Sequence, residues 1–182
     1  MNTATPIKDQ KQLAELVTVY EDGSKNQLLI LYCLYTGLRI SDVITAKVSE
    51  SLMGQRVLTE QKTGKRKIVT LNSKLKNAIN VFVAENGLDA DDYLFFSSKD
   101  KSDHIKRSQA SKIIARAGDM IGLVVSAHSL RKTFGYLAYK NGTSIELLMN
   151  IFNHSSQAVT LRYIGITQDN INEVYNSIDI GF

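Results

Sequence analysis

The sequence predicts an α+β protein, mainly helical, with one small antiparallel sheet. Three observations carry that expectation. Apolar residues recur at helical spacing through most of the 182 residues. Pro6 is the only proline, so long helices meet few breaks. The helical period gives way to a strand-like pattern chiefly where R-V-L-T-E-Q and K-R-K-I-V-T-L flank K-T-G-K.

Taken in order, residues 8–20 place Leu13, Leu16 and Val17 at helical spacing, and E-D-G closes that helix. Residues 24–36 form a second helix, apolar nearly all round and therefore buried. Cys33 lies within it, in L-Y-C-L-Y, which makes it a buried thiol; as the sole cysteine it forms no internal disulfide. Ser41 is placed to cap a short helix from Asp42. The hairpin that follows turns at Gly64. N-S-K-L-K-N-A-I-N-V-F-V-A-E-N-G is a capped helix that stops at Gly87. Y-L-F-F, 93–96, is a short strand or an extended buried segment. Helices follow at about 108–117, 129–140 and 144–152. A last helix is expected after Thr167, its cap, with Ile171, Val174, Tyr175 and Ile178 as one apolar face.

The length suits a single domain spanning 1–182, large enough to bury a core without disulfides or metal. No charged-then-apolar leader and no apolar run of spanning length is present, so a cytoplasmic protein is expected. The net charge of +4 and pI of about 9.1 suit a polyanionic partner. The distribution says more. Lys62, Lys65, Arg66 and Lys67 cluster at the hairpin, and Lys99, Lys101, Lys106 and Arg107 fall in one polar stretch. After Arg162 there is no lysine or arginine, only Asp169, Glu173 and Asp179. A basic body and a non-basic tail suggest that the body meets nucleic acid and the tail does something else. Three scattered histidines and one cysteine offer no metal-ligand spacing, and no cofactor is expected.

Three motifs carry chemistry. In T-G-L-R-I-S-D, Arg39 leaves an apolar helix; it is either a surface arginine paired with Asp42 or a fork of donors for a phosphate. In A-H-S-L-R-K-T-F-G, His128 and Arg131 are three apart and share one face of a first helical turn, where an anion is favoured. The plain alternative is a capping histidine beside a solvated arginine. In N-H-S-S-Q-A-V-T-L-R-Y, Tyr163 follows His154 by nine residues. A phenol becomes a nucleophile when its proton is taken or its anion stabilised, and histidine and arginine supply both; otherwise Tyr163 is an ordinary amphipathic residue.

Together the three motifs resemble those of the tyrosine recombinase, or phage integrase, family in order, spacing and intervening pattern, from about residue 7 to the end. The chain is most similar to short integrase-like proteins of Gram-positive bacteria and their phages, which share I-F-N-H-S-S and R-Y-I-G-I-T-Q-D. The resemblance implies the tyrosine recombinase catalytic-domain fold. It implies that Arg39, His128, Arg131 and His154 surround a scissile DNA phosphate, that Tyr163 attacks it, and that Lys62 at the hairpin turn protonates the leaving oxygen. Lys65, Arg66, Lys67, Lys106, Arg107 and Lys132 are the expected DNA contacts. Ala127, Lys132 and Asn153 stand where the family often has proline, a second histidine and glycine, and Asp42 replaces a frequent glutamate. These departures touch loop geometry and remove no catalytic group.

The implied activity is site-specific recombination of double-stranded DNA through a 3′-phosphotyrosine, in a nucleoid-associated bacterial protein. A tyrosine-type topoisomerase shares that chemistry, and a non-catalytic DNA-binding protein would have no need of Tyr163. Residues 1–7 are expected to be flexible. With the first catalytic helix near residue 8, no amino-terminal clamp domain is expected, so binding by this chain alone should be weak and an accessory DNA-binding protein is a possible partner. Residues 167–182 are expected to be an interaction helix and tail that joins copies on DNA.

Overall fold

The computed structural model describes residues 4–59, 66–167, 172 and 175–181. Helix α1 (Gln10–Thr18) is capped by the Asp9 carboxylate, which accepts from the Gln12 amide. Helix α2 (Lys25–Thr36) is capped by Ser24 and ends on Gly37, whose φ of 59° closes the last turn in the left-handed region. Its Leu28, Leu29, Ile30, Tyr32 and Cys33 are all buried, as an all-round apolar helix requires. Burial pushes the Cys33 thiol up to about 12, so it is inert packing.

Two short helices follow, α3 (Ile40–Ile44) and α4 (Val48–Leu52). Helix α3 starts earlier than expected. Arg39, extended after the Gly37 reversal, occupies the N-cap position without a side-chain bond, and the Ser41 hydroxyl donates to the Asp42 carboxylate instead. Strands β1 (Gln55–Thr59) and β2 (Arg66–Thr70) pair antiparallel, Gln55 opposite Thr70 and Thr59 opposite Arg66. Helix α5 (Ser73–Asn86) runs from an Asn72 cap to left-handed Gly87. The Y-L-F-F segment is extended, with Leu94 and Phe95 fully buried and single bridges from Tyr93 to Lys47 and from Phe96 to His104. Helices α6 (Arg107–Met120), α7 (Ala127–Lys140), α8 (Ile145–Phe152) and α9 (Gln157–Tyr163) complete the domain.

Two apolar clusters hold these elements. The larger gathers α1 to α6 around Leu29, Ile30, Tyr32, Ile79 and Phe95 and reaches Leu130 at the start of α7. The smaller consists of Tyr136, Leu148, Phe152 and Ile164, with Phe134 and Tyr163 packed against it. Helix α7 therefore belongs to both.

Residues 4–8 pack against the domain. Ile7 is buried and its amide donates to the Thr133 hydroxyl at 2.8 Å. Lys132 donates to the Ala4 carbonyl and Lys8 to the Gly165 carbonyl, both at 2.6 Å. Residues 4–8 thus form a strap across α7 and the turn after α9. In the tail, Tyr175 and Ile178 are exposed, while Ile171 and Val174 of the expected stripe lie outside the described residues. Among the described residues no helix is long and apolar enough to cross a membrane.

Candidate active site

Arg131 is the centre of the site. It sits in the first turn of α7, which a reciprocal Ser126–Ser129 capping box fixes. Only 7% of it is exposed, its guanidinium donates to the Gly37 carbonyl, and its Cζ lies 4.8 Å from the Phe152 ring centroid. One side chain thereby ties the T-G-L-R turn to α7 and to the smaller core. Gly37 is required twice over: its φ is positive, and a Cβ there would collide with the Phe134 ring.

Arg39 lies two residues beyond Gly37 and is exposed. The alternative pairing with Asp42 does not form; among the described residues Arg39 makes no ion pair. Its charge nevertheless reaches the rest of the site, since it helps to hold His128, His154 and Arg131 below their ordinary pKa values.

His154 follows Asn153, which at φ 59° is the only non-glycine residue with positive φ among those described. Asparagine tolerates that conformation better than most residues, which explains how it replaces the glycine often found there. The His154 Nδ1 lies 3.0 Å from the Thr160 hydroxyl, and that hydroxyl is also within 3.2 Å of the Ser156 carbonyl. Tyr163 closes α9, its ring 4.9 Å from His154 and 5.1 Å from Phe152. The Lys132 ammonium stands 5.2 Å from the Tyr163 ring centroid. Gly135 makes this approach possible, because a Cβ there would lie 2.6 Å from Phe152 and 2.7 Å from Ile164.

The electrostatics follow from this crowding of cations. Burial raises the Tyr163 pKa, and the Arg131 and Arg39 guanidiniums work against that rise by favouring the phenolate. Burial lowers both His128 and His154, and the arginines lower them further. Lys132 and Arg107 add to the effect on His128. Both shifts favour the neutral imidazole, and the charge around the two rings is cationic.

The structure brings together Arg39, His128, Arg131, His154 and Tyr163, with Lys132 and Arg107 at the border. Lys62 and Lys65 lie outside the described residues. Arg66, Lys106 and Arg107 are exposed. Lys67 turns inward, where its ammonium donates to the Ile151 carbonyl, and it lines with Arg131 a small cavity of about 180 Å³. Lys67 and Lys132 were expected as DNA contacts; both are engaged by backbone carbonyls within the protein. The sequence reading passed over Phe152, Thr160 and Gly135, which carry no charge and act only by contact. The signal for Phe152 was present in its place beside the N-H pair at an apolar helix end.

Residues 8–169 match the model of the phage integrase family. The chain is 31% identical over 178 residues to a probable integrase/recombinase, YoeC, of Bacillus subtilis, covering 96% of this chain and 97% of that protein. It is 31% identical over 160 residues to the TnP I resolvase of Bacillus thuringiensis, covering 84% of this chain but 54% of the relative. Against the tyrosine recombinase XerC of Pelobacter propionicus the identity is 28%, over 95% of this chain and 62% of the relative. The chain therefore spans nearly all of one relative and little more than half of the other two. Among solved structures, the XerA recombinase superposes with a TM-score of 0.77 at 22% identity, over all of this chain and 66% of that one. The XerH recombinase bound to its palindromic difH substrate gives 0.75 at 19%, over 97% and 54%. At such identities these two likenesses concern the fold.

Proposed function

Because the chain belongs to the phage integrase family, we propose that it is a site-specific recombinase that cuts and rejoins double-stranded DNA through a phosphotyrosine. The observation that carries this is the placement of the Tyr163 phenol: against His154, beside Arg131, and within the field of Arg39. A binding module gains nothing from a phenol whose anion is favoured by two guanidiniums.

In the reaction the Tyr163 oxygen attacks the scissile phosphorus and the bond to the 5′-oxygen breaks. The phenolic proton passes to solvent water, and Lys62, as an ammonium, delivers one to the departing 5′-oxygen, which leaves as a 5′-hydroxyl. Negative charge grows on the non-bridging oxygens, where Arg39 and Arg131 neutralise it. A neutral imidazole donates from one nitrogen only. When the Thr160 hydroxyl turns from the Ser156 carbonyl to donate to Nδ1, His154 carries its proton on Nε2 for the phosphate, and His128 donates from the first turn of α7. The new ester conserves the energy of the broken one, so attack by a 5′-hydroxyl of another strand reverses the step without a nucleotide cofactor.

Arg66, Lys106 and Arg107, with Lys65 next to Arg66 in the sequence, hold the flanking phosphates. The exposed Tyr175, Ile178 and Ile180, on a tail without basic residues, suit contact between copies on DNA. A nicked suicide duplex tests the central claim: the protein should appear on denaturing gels as a covalent adduct, with or without EDTA. Adducts that persist with Tyr163→Phe would move the nucleophile elsewhere.

A further inference from the structure

Arg39 supplies the exposed part of the phosphate clamp, yet its own side chain is held by no ion pair, and α3, which it begins, is five residues long and lacks a capping side chain. So short a helix has no stable orientation of its own. Something else must fix the direction in which Arg39 leaves the turn.

Behind α3 lies an ion pair whose arginine is buried and whose carboxylate is half-buried. Arg56, on β1, is 5% exposed and pairs with the Glu50 carboxylate of α4. The other described pair, Lys11–Glu15, is exposed and 4.0 Å apart. The second arm of the Arg56 guanidinium donates to the Asp42 carbonyl at 3.1 Å and to the Thr45 hydroxyl at 2.8 Å. Asp42 lies inside α3 and Thr45 caps its end. The Thr45 hydroxyl in turn reaches the Asp42 carbonyl at 3.1 Å. Burying a guanidinium is costly, and an apolar pair of similar volume would serve stability as well or better. The Arg56 Nε even lies buried without a partner. What the arginine provides that an apolar residue cannot is a bidentate, directional hold on two points of one helical turn.

We propose that Arg56 is a positioning residue for Arg39. It locks α3 from behind, so that Arg39 projects toward the scissile phosphate, and it ties that placement to the β1–β2 pair, between which Lys62 falls in the sequence. Each residue of helix corresponds to about 100° of rotation, so a one-residue slip in α3 would aim Arg39 away from Arg131. The inference rests on the recombinase reading given above.

The test uses the full chain and two nicked duplexes on which the unmodified protein forms its adduct. One carries an ordinary scissile phosphodiester; the other carries a methylphosphonate there, which has lost the charge that the arginines neutralise. Arg39→Ala should slow single-turnover cleavage of the diester by about 100-fold or more, and of the methylphosphonate far less. Arg56→Met combined with Glu50→Met removes the buried guanidinium together with its half-buried partner and leaves no orphan. It should fold, slow the diester by about 10- to 100-fold, and come within about 3-fold of the parent on the methylphosphonate. Adding Arg39→Ala to that pair should cost much less than it does alone. A folded double variant at parental rate on the diester, or an equal deficit on both substrates, overturns the proposal. Should the double variant fail to fold, Thr45→Val removes one of the two grips alone; a rate equal to the parent's on the diester would then overturn it. An Arg39→Ala protein that cleaves the diester normally would overturn the clamp itself, a result distinct from any obtained with Arg56.

Discussion

Arg39 and Tyr163 face the same space but stand on different ground. The turn that bears Arg39 leaves α2, at the centre of a cluster in which 26 apolar residues are buried. Tyr163 ends a seven-residue helix leaning on a cluster with four. Free energies of local opening scale with such burial, so α8 and α9 should open well before α2 does. The difference suits the division of labour. A clamp for developing charge works best when it is preorganised, whereas a nucleophile must approach, bond and later release. Arg131 joins the two regions, donating to Gly37 on one side and covering Phe152 on the other.

The largest effect should come from removing the chemistry on the lightly built side while sparing its packing. Tyr163→Phe should lower covalent attachment by on the order of 10⁴-fold or more, with noncovalent DNA affinity unchanged. Adduct yield on a suicide substrate and a binding isotherm at fixed salt would check both halves of that statement.

On the firmly built side, Arg39→Ala removes an exposed side chain, so thermal stability should stay within about 0.5 kcal/mol while single-turnover cleavage falls by roughly 10² to 10³. A large drop in melting temperature would mean that Arg39 supports the fold after all.

The two glycines separate the regions by packing alone. Gly37→Ala strains a left-handed residue and strikes Phe134, and should destabilise the whole domain by about 2 kcal/mol or more. Gly135→Ala drives a methyl into Phe152 and Ile164. It should speed amide exchange in α8 and α9 while leaving α2 protected, and cut cleavage by about ten-fold through misplaced reacting groups. Uniform loss of protection across both clusters would erase the distinction between them.

The smallest expected effect is on pH dependence. His128 and His154 are held below the ordinary imidazole value by burial and by the arginines, so unfolding takes up protons in acid. The stability they allow is complete above about pH 6.5 and declines as the pH falls toward their lowered folded values. His154→Gln should flatten that decline, measured by denaturant midpoints between pH 7 and pH 5, and acid should loosen α9 before α2.

Much of this arrangement was legible in the sequence, for local reasons. Ser24 and Gly37 bracket α2, Asn72 and Gly87 bracket α5, and the hairpin announced itself by its change of period. Helices α4 and α9 were not foreseen. V-S-E-S-L is too short to display a period, and Val159 and Thr160 weigh against a helix that Ser156 caps and Phe152 and Ile164 hold in place. The motifs pointed to charged groups, but not to what holds them in place. An Arg39–Asp42 pair was the nearest guess by spacing, whereas the hold on α3 comes from Arg56, on a strand that folding brings up from behind. A trace of it was readable: Arg56 alternates in phase with Leu58 and out of phase with exposed Val57, an arginine at an inward position.

The strap formed by residues 4–8 has a mechanical consequence. Its bonds run from Ile7 to Thr133, from Lys132 to Ala4 and from Lys8 to Gly165, two residues past Tyr163. Tension applied at Ala4 would load Lys132 first, the same ammonium that covers the Tyr163 ring, and then the turn on which α9 ends. A pull on the amino end is therefore delivered to Tyr163 before it reaches the large core. In a single-molecule stretching experiment the first yielding event should silence cleavage while Arg39 and its helix remain folded.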